Sequence, residues 1–384
     1  MLFISEPRMK NRAFVLLFAL VQLFMINCSA PPVNPVEIVR ASWEHYKRTF
    51  IRAGRVVRPA NNLDTVSEGE SYAMLRAVLM GDRTTFDDCL AWSESVLSRK
   101  NSNGDRLLAW HFENGAISDT TAASDADIDY AYSLVLAYRR WHDDRYIKLA
   151  REVLKSILDH ETVLVNGRLY LIPSTLIESR ADKLVAQNPS YYAPSNFKVF
   201  YEVSGDQRWL DLADTTYHLL EKLLALCGDR KESGLVPNWC ALDPNEKIMI
   251  LPGKSLLYGW DALRVPLRIA ADYHLNKDPR ALAVLQKFSR FFENEFKRNG
   301  KIFTEYSCDK QSLTTDENPL FYTAAYAATE AAGSSIAPDL LNRQRKSVQL
   351  NKKECYYIEP DDYYANSLAW LAEYYQLSKA QRTP

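Results

Sequence analysis

The sequence of 384 residues lacks the features that mark several large functional classes. Its formal net charge is only −1, with 47 lysines and arginines against 48 aspartates and glutamates, so no charge excess favours nucleic acid or an anionic membrane as a partner. None of the six cysteines forms a C-x-x-C pair, and the six histidines show no metal-ligand spacing. P-loop, dinucleotide, G-x-S-x-G and H-E-x-x-H motifs are also missing. We therefore expect neither a metal nor a cofactor.

The N-terminal segment has the pattern of an export signal. Lys10 and Arg12 precede AFVLLFALVQLFMI at residues 13–26, an apolar run too short to span a bilayer comfortably. Cys28 follows this run, so lipidation at Cys28 and simple cleavage nearby both fit the segment. We expect residues 1–30 to be a signal peptide and the mature protein to be exported, to the periplasm, the cell surface or the medium. Membrane contact is expected only through a lipid anchor on Cys28.

An aspartate-bearing turn recurs along the chain and precedes amphipathic helical segments. It is found at Asp82, Asp144, Asp206 and Asp278, at intervals of 62, 62 and 72 residues. A period near 60 residues accommodates one helical hairpin and one long connection. The segment before a turn differs from the one after it: residues 130–138 are apolar almost all round, as in a helix that is buried on every side. This alternation predicts an inner ring of helices inside an outer ring.

About twelve helices, with no linker rich in proline, glycine or serine between them, predict a single domain over residues 31–384. The fold class that follows is all-α, an (α/α)6 barrel of six helical hairpins. The predicted helices lie near residues 36–50, 68–81, 83–98, 125–141, 144–159, 190–203, 206–225, 256–274, 278–296, 316–333, 336–347 and 361–378.

In such a barrel the inner helices run in the same direction, so the residues that open them meet at one end. These opening stretches are Glu68-Gly-Glu70, Asp125-Ala-Asp127, NPSYY at 188–192, YGWDALR at 258–264 and DDYYANS at 361–367. Helix capping explains about half of the acids taken singly, but it does not explain the aromatic residues beside them. Aromatic rings stack on sugars and carboxylates cleave glycosidic bonds, so the set points to sugar chemistry.

The same stretches resemble glycoside hydrolase family 8. ASDADIDYAYSLVLAYRRW at 123–141 is similar to the family signature, A-S/T-D-A/G-D followed by a small-residue helix that ends in Trp, and departs from it at Tyr130. SEGESYAM at 67–74 resembles the family's SEGxxYGM, with Ala73 in place of glycine. NPSYYAP, GLVPNWC, YGWDALR and YYANSL follow in the family's order, so the resemblance spans roughly residues 36–378.

The resemblance implies an enzyme that inverts anomeric configuration and cuts β-1,4-linked chains. Carried over residue by residue, it makes Glu68 the general acid and Asp261 the general base. The other implied residues bind or contact the sugar, and they are Asp125, Arg264, Tyr191, Trp110 and Tyr364. The alternative for Glu68 is a helix-capping role beside Ser67, and the alternative base near Asp261 is Asp272. Trp110 and Tyr364 could instead be core residues.

An inverting acid must hold its proton near neutrality, so burial or a nearby carboxylate has to raise its pKa. A helix N-terminus alone would lower the pKa of Glu68. We expect Asp125, together with Glu70, to supply the opposing negative charge, and Glu70 otherwise to be a solvated or supporting residue. For Asp261, a helix start and Arg264 one turn further on should keep the carboxylate ionised.

The leading hypothesis is an exported endo-β-1,4-glucanase of the cellulase type, acting as a monomer on a β-1,4-linked polysaccharide or oligosaccharide. A xylan- or chitosan-directed hydrolase of the same family is the alternative within the enzyme class. Residues 300–320 contain no histidine, which weighs against the end-cutting xylan enzymes, whose clefts are blocked by a His-bearing loop. A third hypothesis is a glycan-binding or polysaccharide-export accessory protein without turnover, against which Glu68 and Asp261 argue.

Overall fold

A computed structural model describes residues 34–175, 184–227, 234–351 and 354–380. The predicted signal peptide at residues 1–30, with Cys28, lies outside these ranges and stays a prediction. Within the described ranges no helix combines the length and the apolar character needed to cross a membrane.

Thirteen α-helices make up most of the described chain. They are α1 (Pro35–Phe50), α2 (Ser67–Met80), α3 (Arg83–Trp92), α4 (Ser124–Trp141), α5 (Asp144–His160), α6 (Pro194–Ser204), α7 (Arg208–Cys227), α8 (Arg264–Asn276), α9 (Pro279–Asn299), α10 (Pro319–Ala331), α11 (Ala337–Arg345), α12 (Tyr363–Leu368) and α13 (Leu371–Ala380). A π-helical turn at Ser93–Leu97 extends α3.

The helices form two concentric rings. In the inner ring α2 packs on α4, α4 on α6, α6 on α8, α8 on α10, α10 on α12 and α13, and α12 closes the circle against α2. Each inner helix also packs on an outer one, as α2 does on α3, α4 on α5 and α8 on α9. The structure therefore confirms the predicted all-α (α/α)6 barrel.

Burial follows the predicted alternation between the rings. Nearly every residue of α10, PLFYTAAYAATEA, is buried, because small side chains allow its neighbours to approach from all sides. In α5 the buried residues form one stripe that includes Tyr146, Ala150, Val153 and Ile157, and charged residues cover the opposite face. Inner helices are thus held by burial all round, and outer helices by one face.

Four of the short turns that lead from an inner helix to the next outer helix share one design. A residue with a positive φ ends the inner helix, and the aspartate after it accepts a hydrogen bond from a backbone N–H of the next helix. The four aspartates are Asp82, Asp143, Asp206 and Asp278. The assignment of the second turn to Asp144 was wrong by one residue, since Asp144 is already the first residue of α5. In the sequence, either of the adjacent residues Asp143 and Asp144 could be the one that caps α5.

The long connections carry short strands, all paired antiparallel where the structure describes them. They are β1 (Ile51–Arg52), β2 (Arg55–Val56), β3 (Thr65–Val66), β4 (His111–Glu113), β5 (Ala116–Asp119), β6 (Thr162–Val165), β7 (Arg168–Leu171), β8 (Val185–Gln187), β9 (Cys240–Leu242), β10 (Ile248–Met249), β11 (Leu257–Tyr258), β12 (Tyr306–Ser307), β13 (Val348–Leu350) and β14 (Cys355–Tyr357). Two three-stranded sheets have the orders β3-β4-β5 and β10-β9-β8, and the remaining strands pair two by two.

Two predicted helix starts were too early by four residues or more. The helix expected from residue 256 begins at Arg264, because residues 257–258 form β11 and a turn follows them. The helix expected from residue 190 begins at Pro194, after a 3-10 turn at Pro189–Tyr191. Both segments lie at the end of the barrel where the candidate site is found.

A disulfide joins Cys227 at the end of α7 to Cys308, across 81 residues of sequence. Cys89, Cys240 and Cys355 are free and buried.

We expect the double substitution of Cys227 and Cys308 by serine to lower the free energy of unfolding by about 2–5 kcal/mol, because the cross-link restricts the unfolded chain. Urea unfolding measures this loss, and reduction of the wild-type protein should reproduce it. An unchanged midpoint in both experiments would contradict the pairing.

Candidate active site

The first turn of α2 has no side-chain cap. Val66 occupies the position before the helix, and the buried hydroxyl of Ser67 has no hydrogen-bond partner in the described structure. The backbone N–H of Ser67 donates instead to the carbonyl oxygen of Trp110 at 3.0 Å. The sequence-based alternative of capping by Ser67 is therefore wrong, and Glu68 follows at the second helical position facing the mouth of the barrel.

The Arg264 guanidinium lies at the centre of the site and contacts three carboxylates. Its Nη1 donates to Asp125 Oδ2 at 2.8 Å and lies 3.9 Å from Glu68 Oε2, and its Nη2 donates to Asp261 Oδ1 at 3.1 Å. Arg264 itself is almost fully buried at the first position of α8. The structure thus brings together the starts of α2, α4 and α8, as the ring topology predicts.

Two tyrosines complete the floor around Arg264. The ring of Tyr191 lies under the guanidinium, 5.3 Å from its central carbon, at the distance of a cation–π contact. The hydroxyl of Tyr72, one turn along α2 from Glu68, accepts a hydrogen bond from Arg264 Nη1 at 3.3 Å. Asp125 is buried beneath this layer. Burial raises the pKa of Asp125, while Arg264 opposes the shift.

Asp261 lies in the turn before α8, not in the helix as predicted. The side-chain oxygen of Asn238 accepts the backbone N–H groups of Asp261 and Ala262, at 3.1 and 2.9 Å, and so fixes this turn. The indole N–H of Trp239 donates to Asp261 Oδ2 at 2.8 Å. Arg264 binds the other oxygen, so donors hold the carboxylate of Asp261 on both sides. The side chain of Asp261 is still 33% exposed.

The surroundings of Glu68 are those required of an acid that keeps its proton. Burial raises the pKa of Glu68 to about 7; the negative charges of Asp125 and Asp261 act in the same direction, and Arg264 opposes them.

Glu70, which was expected to help raise the pKa of Glu68, is not among the groups that do so. Glu70 is fully buried rather than solvated, and its Oε1 accepts the backbone N–H of Val56 at 2.6 Å. Its role is to fix the strand β2 against α2.

The raised pKa of Glu68 predicts how stability depends on pH. A carboxyl whose pKa is higher in the folded protein than in the unfolded chain, at about 4.3, stabilises the fold fully below the unfolded value, and this contribution is lost as the pH rises through the folded value of about 7. Glutamine stays neutral throughout. We therefore expect the Tm of Glu68→Gln to match the wild type at about pH 4 and to exceed it at about pH 8.5. Calorimetry at both pH values tests this, and a lower Tm for the variant at the higher pH would contradict it.

A cleft of about 450 Å³ opens above Glu68, Asp261 and Arg264. Trp260 forms one wall, with 41% of its surface exposed, and its ring lies 6.4 Å from the ring of Tyr364. The hydroxyl of Tyr364 donates to the carbonyl oxygen of Trp260 at 3.1 Å. Arg58 lies on another wall, paired with Asp64 at 2.5 Å.

Trp110 is placed on the surface beside this site rather than in the core. Its side chain is 39% exposed, and its ring lies 5.1 Å from that of His111. His111 in turn bonds Asp64 at 2.8 Å. Trp110 is not among the residues that line the cleft around Glu68, so its place is further along the surface, next to the start of α2.

The alternative base, Asp272, is far from the cleft. It is fully buried near the end of α8, where Lys198 binds both of its oxygens at 2.8–2.9 Å. Tyr217 also donates a hydrogen bond to it. These partners leave Asp272 a structural role in an internal ion pair.

Sequence reasoning did not assign a role to three residues of the site. Trp239, which bonds Asp261, lies in the GLVPNWC stretch that carried part of the resemblance. Tyr72 and Trp260 lie inside quoted motifs in the same way.

Within the described ranges no group of three or more histidine, cysteine, aspartate or glutamate residues could hold a metal ion.

Comparison with known proteins identifies relatives over most of the chain. The family model described as "Glycosyl hydrolases family 8" matches residues 12–377. "Endoglucanase A" of Acetivibrio thermocellus is 30% identical over 356 residues, 88% of this chain and 68% of that one. "Endoglucanase" of Escherichia coli (strain K12) is 28% identical over 337 residues, 84% of this chain and 83% of that one. The chain spans about two thirds of the length of the first curated relatives, at 68%, 63% and 65%.

Solved structures share the barrel. The endo-1,4-D-glucanase from Vibrio fischeri ES114 has a TM-score of 0.74 at 24% identity, covering 89% of this chain and 94% of that one. The endo-beta-1,4-glucanase CMCax from Acetobacter xylinum has a TM-score of 0.70 at 22% identity, covering 91% and 100%. At these identities the likeness supports the fold, and the family model supports the resemblance stated above, which is confirmed.

Proposed function

The chain belongs to glycoside hydrolase family 8, and we propose that it is an inverting endo-β-1,4-glucanase with Glu68 as general acid and Asp261 as general base. The observation that carries this proposal is the single guanidinium of Arg264, which contacts Glu68, Asp125 and Asp261 at the mouth of the barrel. The relatives named as endoglucanases support the substrate class.

Glu68 has the properties of the acid. Its pKa of about 7 keeps a large share of the carboxyl protonated near neutrality. In the proposed step that proton passes to the glycosidic oxygen as the bond from this oxygen to the anomeric carbon breaks. The Glu68 carboxylate left behind lies 3.9 Å from Arg264, which stabilises the new charge.

Asp261 has the properties of the base. Trp239 and Arg264 donate to its two oxygens, so the orientation of the carboxylate is fixed. In the proposed step Asp261 takes a proton from a water molecule, whose oxygen attacks the anomeric carbon on the face opposite the leaving group. Inverting enzymes separate the two carboxyl groups by roughly 6.5–9.5 Å to leave room for this water. The placement of Glu68 and Asp261 at different nitrogens of one guanidinium is compatible with that spacing.

The aromatic residues fit an extended glucan chain. Trp260 on the wall of the cleft is 41% exposed, and Trp110 beside the start of α2 is 39% exposed. Pyranose rings bury their C–H faces on such side chains, so both can bind sugars of an extended chain. We therefore propose that Trp260, Tyr364 and Trp110 bind the sugars next to the cleaved bond. Tyr191 and Asp125 act on the sugar at that bond through Arg264, which they hold in place.

A panel of soluble polysaccharides with product sizing tests the proposed substrate. We expect carboxymethyl cellulose and mixed-linkage β-glucan to lose viscosity early, with products of several sizes, because an endo enzyme cuts internal bonds. Glucuronoxylan and chitosan are the comparison substrates. Faster cleavage of either by tenfold would replace the glucanase assignment, and no cleavage of any polymer would favour the accessory-protein hypothesis.

We also propose that the protein is exported as a monomer. The Cys227–Cys308 disulfide supports the export part of this proposal, because such bonds persist in oxidising compartments. Mass spectrometry of the mature N-terminus distinguishes cleavage from lipidation at Cys28. An unprocessed N-terminus on protein isolated from the cytoplasm would contradict export.

A further inference from the structure

A second cavity lies on the barrel axis below the catalytic cleft. It has a volume of about 320 Å³ and is lined by residues of α2, α4, α6, α8, α12 and α13. Most of the side chains around it are apolar, among them Leu75, Leu79, Leu136, Leu267, Leu368 and Leu371. Leu275, which is 48% exposed, lies at its outer end. The cavity therefore extends from the floor of the site toward the opposite end of the barrel.

One residue, Arg264, lines both the catalytic cleft and the lower cavity. Its guanidinium is bound to the carboxylates on the cleft side. Tyr72 lines the lower cavity only. A molecule in the lower cavity would thus lie against the layer that separates it from the cleft, without entering the cleft itself.

The charged groups that line the lower cavity all have partners: Arg264 is bound to Asp125 and Asp261, and His274 is paired with Glu330. Arg268 forms a bidentate pair with Asp129, at 2.5 and 2.7 Å, and Asn196 approaches the same carboxylate at 3.5 Å. The hydroxyl of Tyr375 donates to the carbonyl oxygen of Leu267 at 3.0 Å. An ion entering here would lose its hydration without finding a free countercharge, whereas a neutral apolar molecule would not bear this desolvation cost.

We propose that this axial cavity is a binding site for a neutral, mainly apolar molecule of about two fused aromatic rings. The size follows from its volume, since a dry apolar cavity of about 150 Å³ already binds benzene. The proposal is independent of the proposed glucanase activity, because it rests on the cavity alone and its test measures binding directly.

The test uses 2-naphthol as a fluorescent probe and naphthalene-2-sulfonate as its charged counterpart of the same ring size. Leu136→Trp fills the cavity from α4, well away from the catalytic residues, and Ala271→Met fills it from α8 as a second variant. Leu164→Trp is the matched control, because it adds the same ring on the exposed face of β6, where Leu164 is 68% exposed. Circular dichroism and Tm confirm that each variant is folded.

We expect saturable binding of 2-naphthol to the wild-type protein and to Leu164→Trp, and a Kd at least about tenfold higher in a folded cavity-filling variant. Naphthalene-2-sulfonate should bind at least about tenfold more weakly than 2-naphthol. Three results would overturn the proposal. They are the absence of saturable 2-naphthol binding, equal affinity in the filled variants, and displacement of the probe by cellobiose, which would place it in the sugar cleft.

Discussion

Glu68→Gln is expected to lower the turnover of a soluble β-1,4-glucan by about 10²–10⁴-fold, because glutamine has no proton to give to the leaving oxygen. The substitution preserves the size of the side chain. The protein should therefore stay folded, with the pH-dependent change in Tm described above. Steady-state kinetics on mixed-linkage glucan measures the loss.

A substrate with an activated leaving group separates an acid from a structural residue. A 2,4-dinitrophenolate leaves without protonation, so Glu68→Gln should lose far less activity on a dinitrophenyl β-cello-oligosaccharide than on the natural polymer. A residue that only maintained the shape of the site would lose activity equally on both substrates.

Glu70→Gln is the matched control for this experiment. Glu70 lies two residues further along α2, and its contact is the backbone N–H of Val56. A glutamine oxygen can accept the same hydrogen bond, so turnover should remain within about threefold of the wild type. A large loss in Glu70→Gln, with Glu68→Gln active, would mean that the acid is the other glutamate.

Asp261→Asn is expected to lower turnover by about 10²–10⁴-fold as well, because the amide cannot take the proton of the attacking water. In contrast to Glu68→Gln, the loss should be similar for the polymer and for the dinitrophenyl substrate, since both need the water. The pair of variants thus distinguishes the two roles in one set of assays.

Asp272→Asn is the control for the base. Asp272 is buried in a pair with Lys198, so its neutralisation should destabilise the protein by about 3–5 kcal/mol while folded enzyme keeps its turnover. Full activity in Asp261→Asn would contradict the assignment of the base, whatever the result for Asp272.

The sequence was sufficient to predict the barrel because its evidence is local. The aspartate at each turn and the change from an all-round apolar helix to a one-sided one can be read within about thirty residues. The same pattern placed Glu68 and Asp125 at neighbouring helix starts. The position of Asp144 was off by one because two adjacent aspartates could each have capped α5.

The features that were missed depend on distant residues. The start of α8 was placed too early because the turn around Asp261 is fixed by Asn238, more than twenty residues away. Glu70 was expected to be either solvated or supporting. The choice between the two could not be made because its partner, the N–H of Val56, belongs to a strand in the preceding connection. The pairing of Cys227 with Cys308 likewise spans 81 residues. Such contacts exist only once the rings have closed.

The stereochemistry of the first product tests the central proposal most directly. Proton NMR during the first minutes of hydrolysis of a soluble β-1,4-gluco-oligosaccharide resolves the two anomers before they interconvert. If Glu68 protonates the leaving oxygen and Asp261 directs a water to the opposite face, the newly formed reducing end is initially the α-anomer. Initial formation of the β-anomer would show retention and would contradict the roles proposed for both carboxylates.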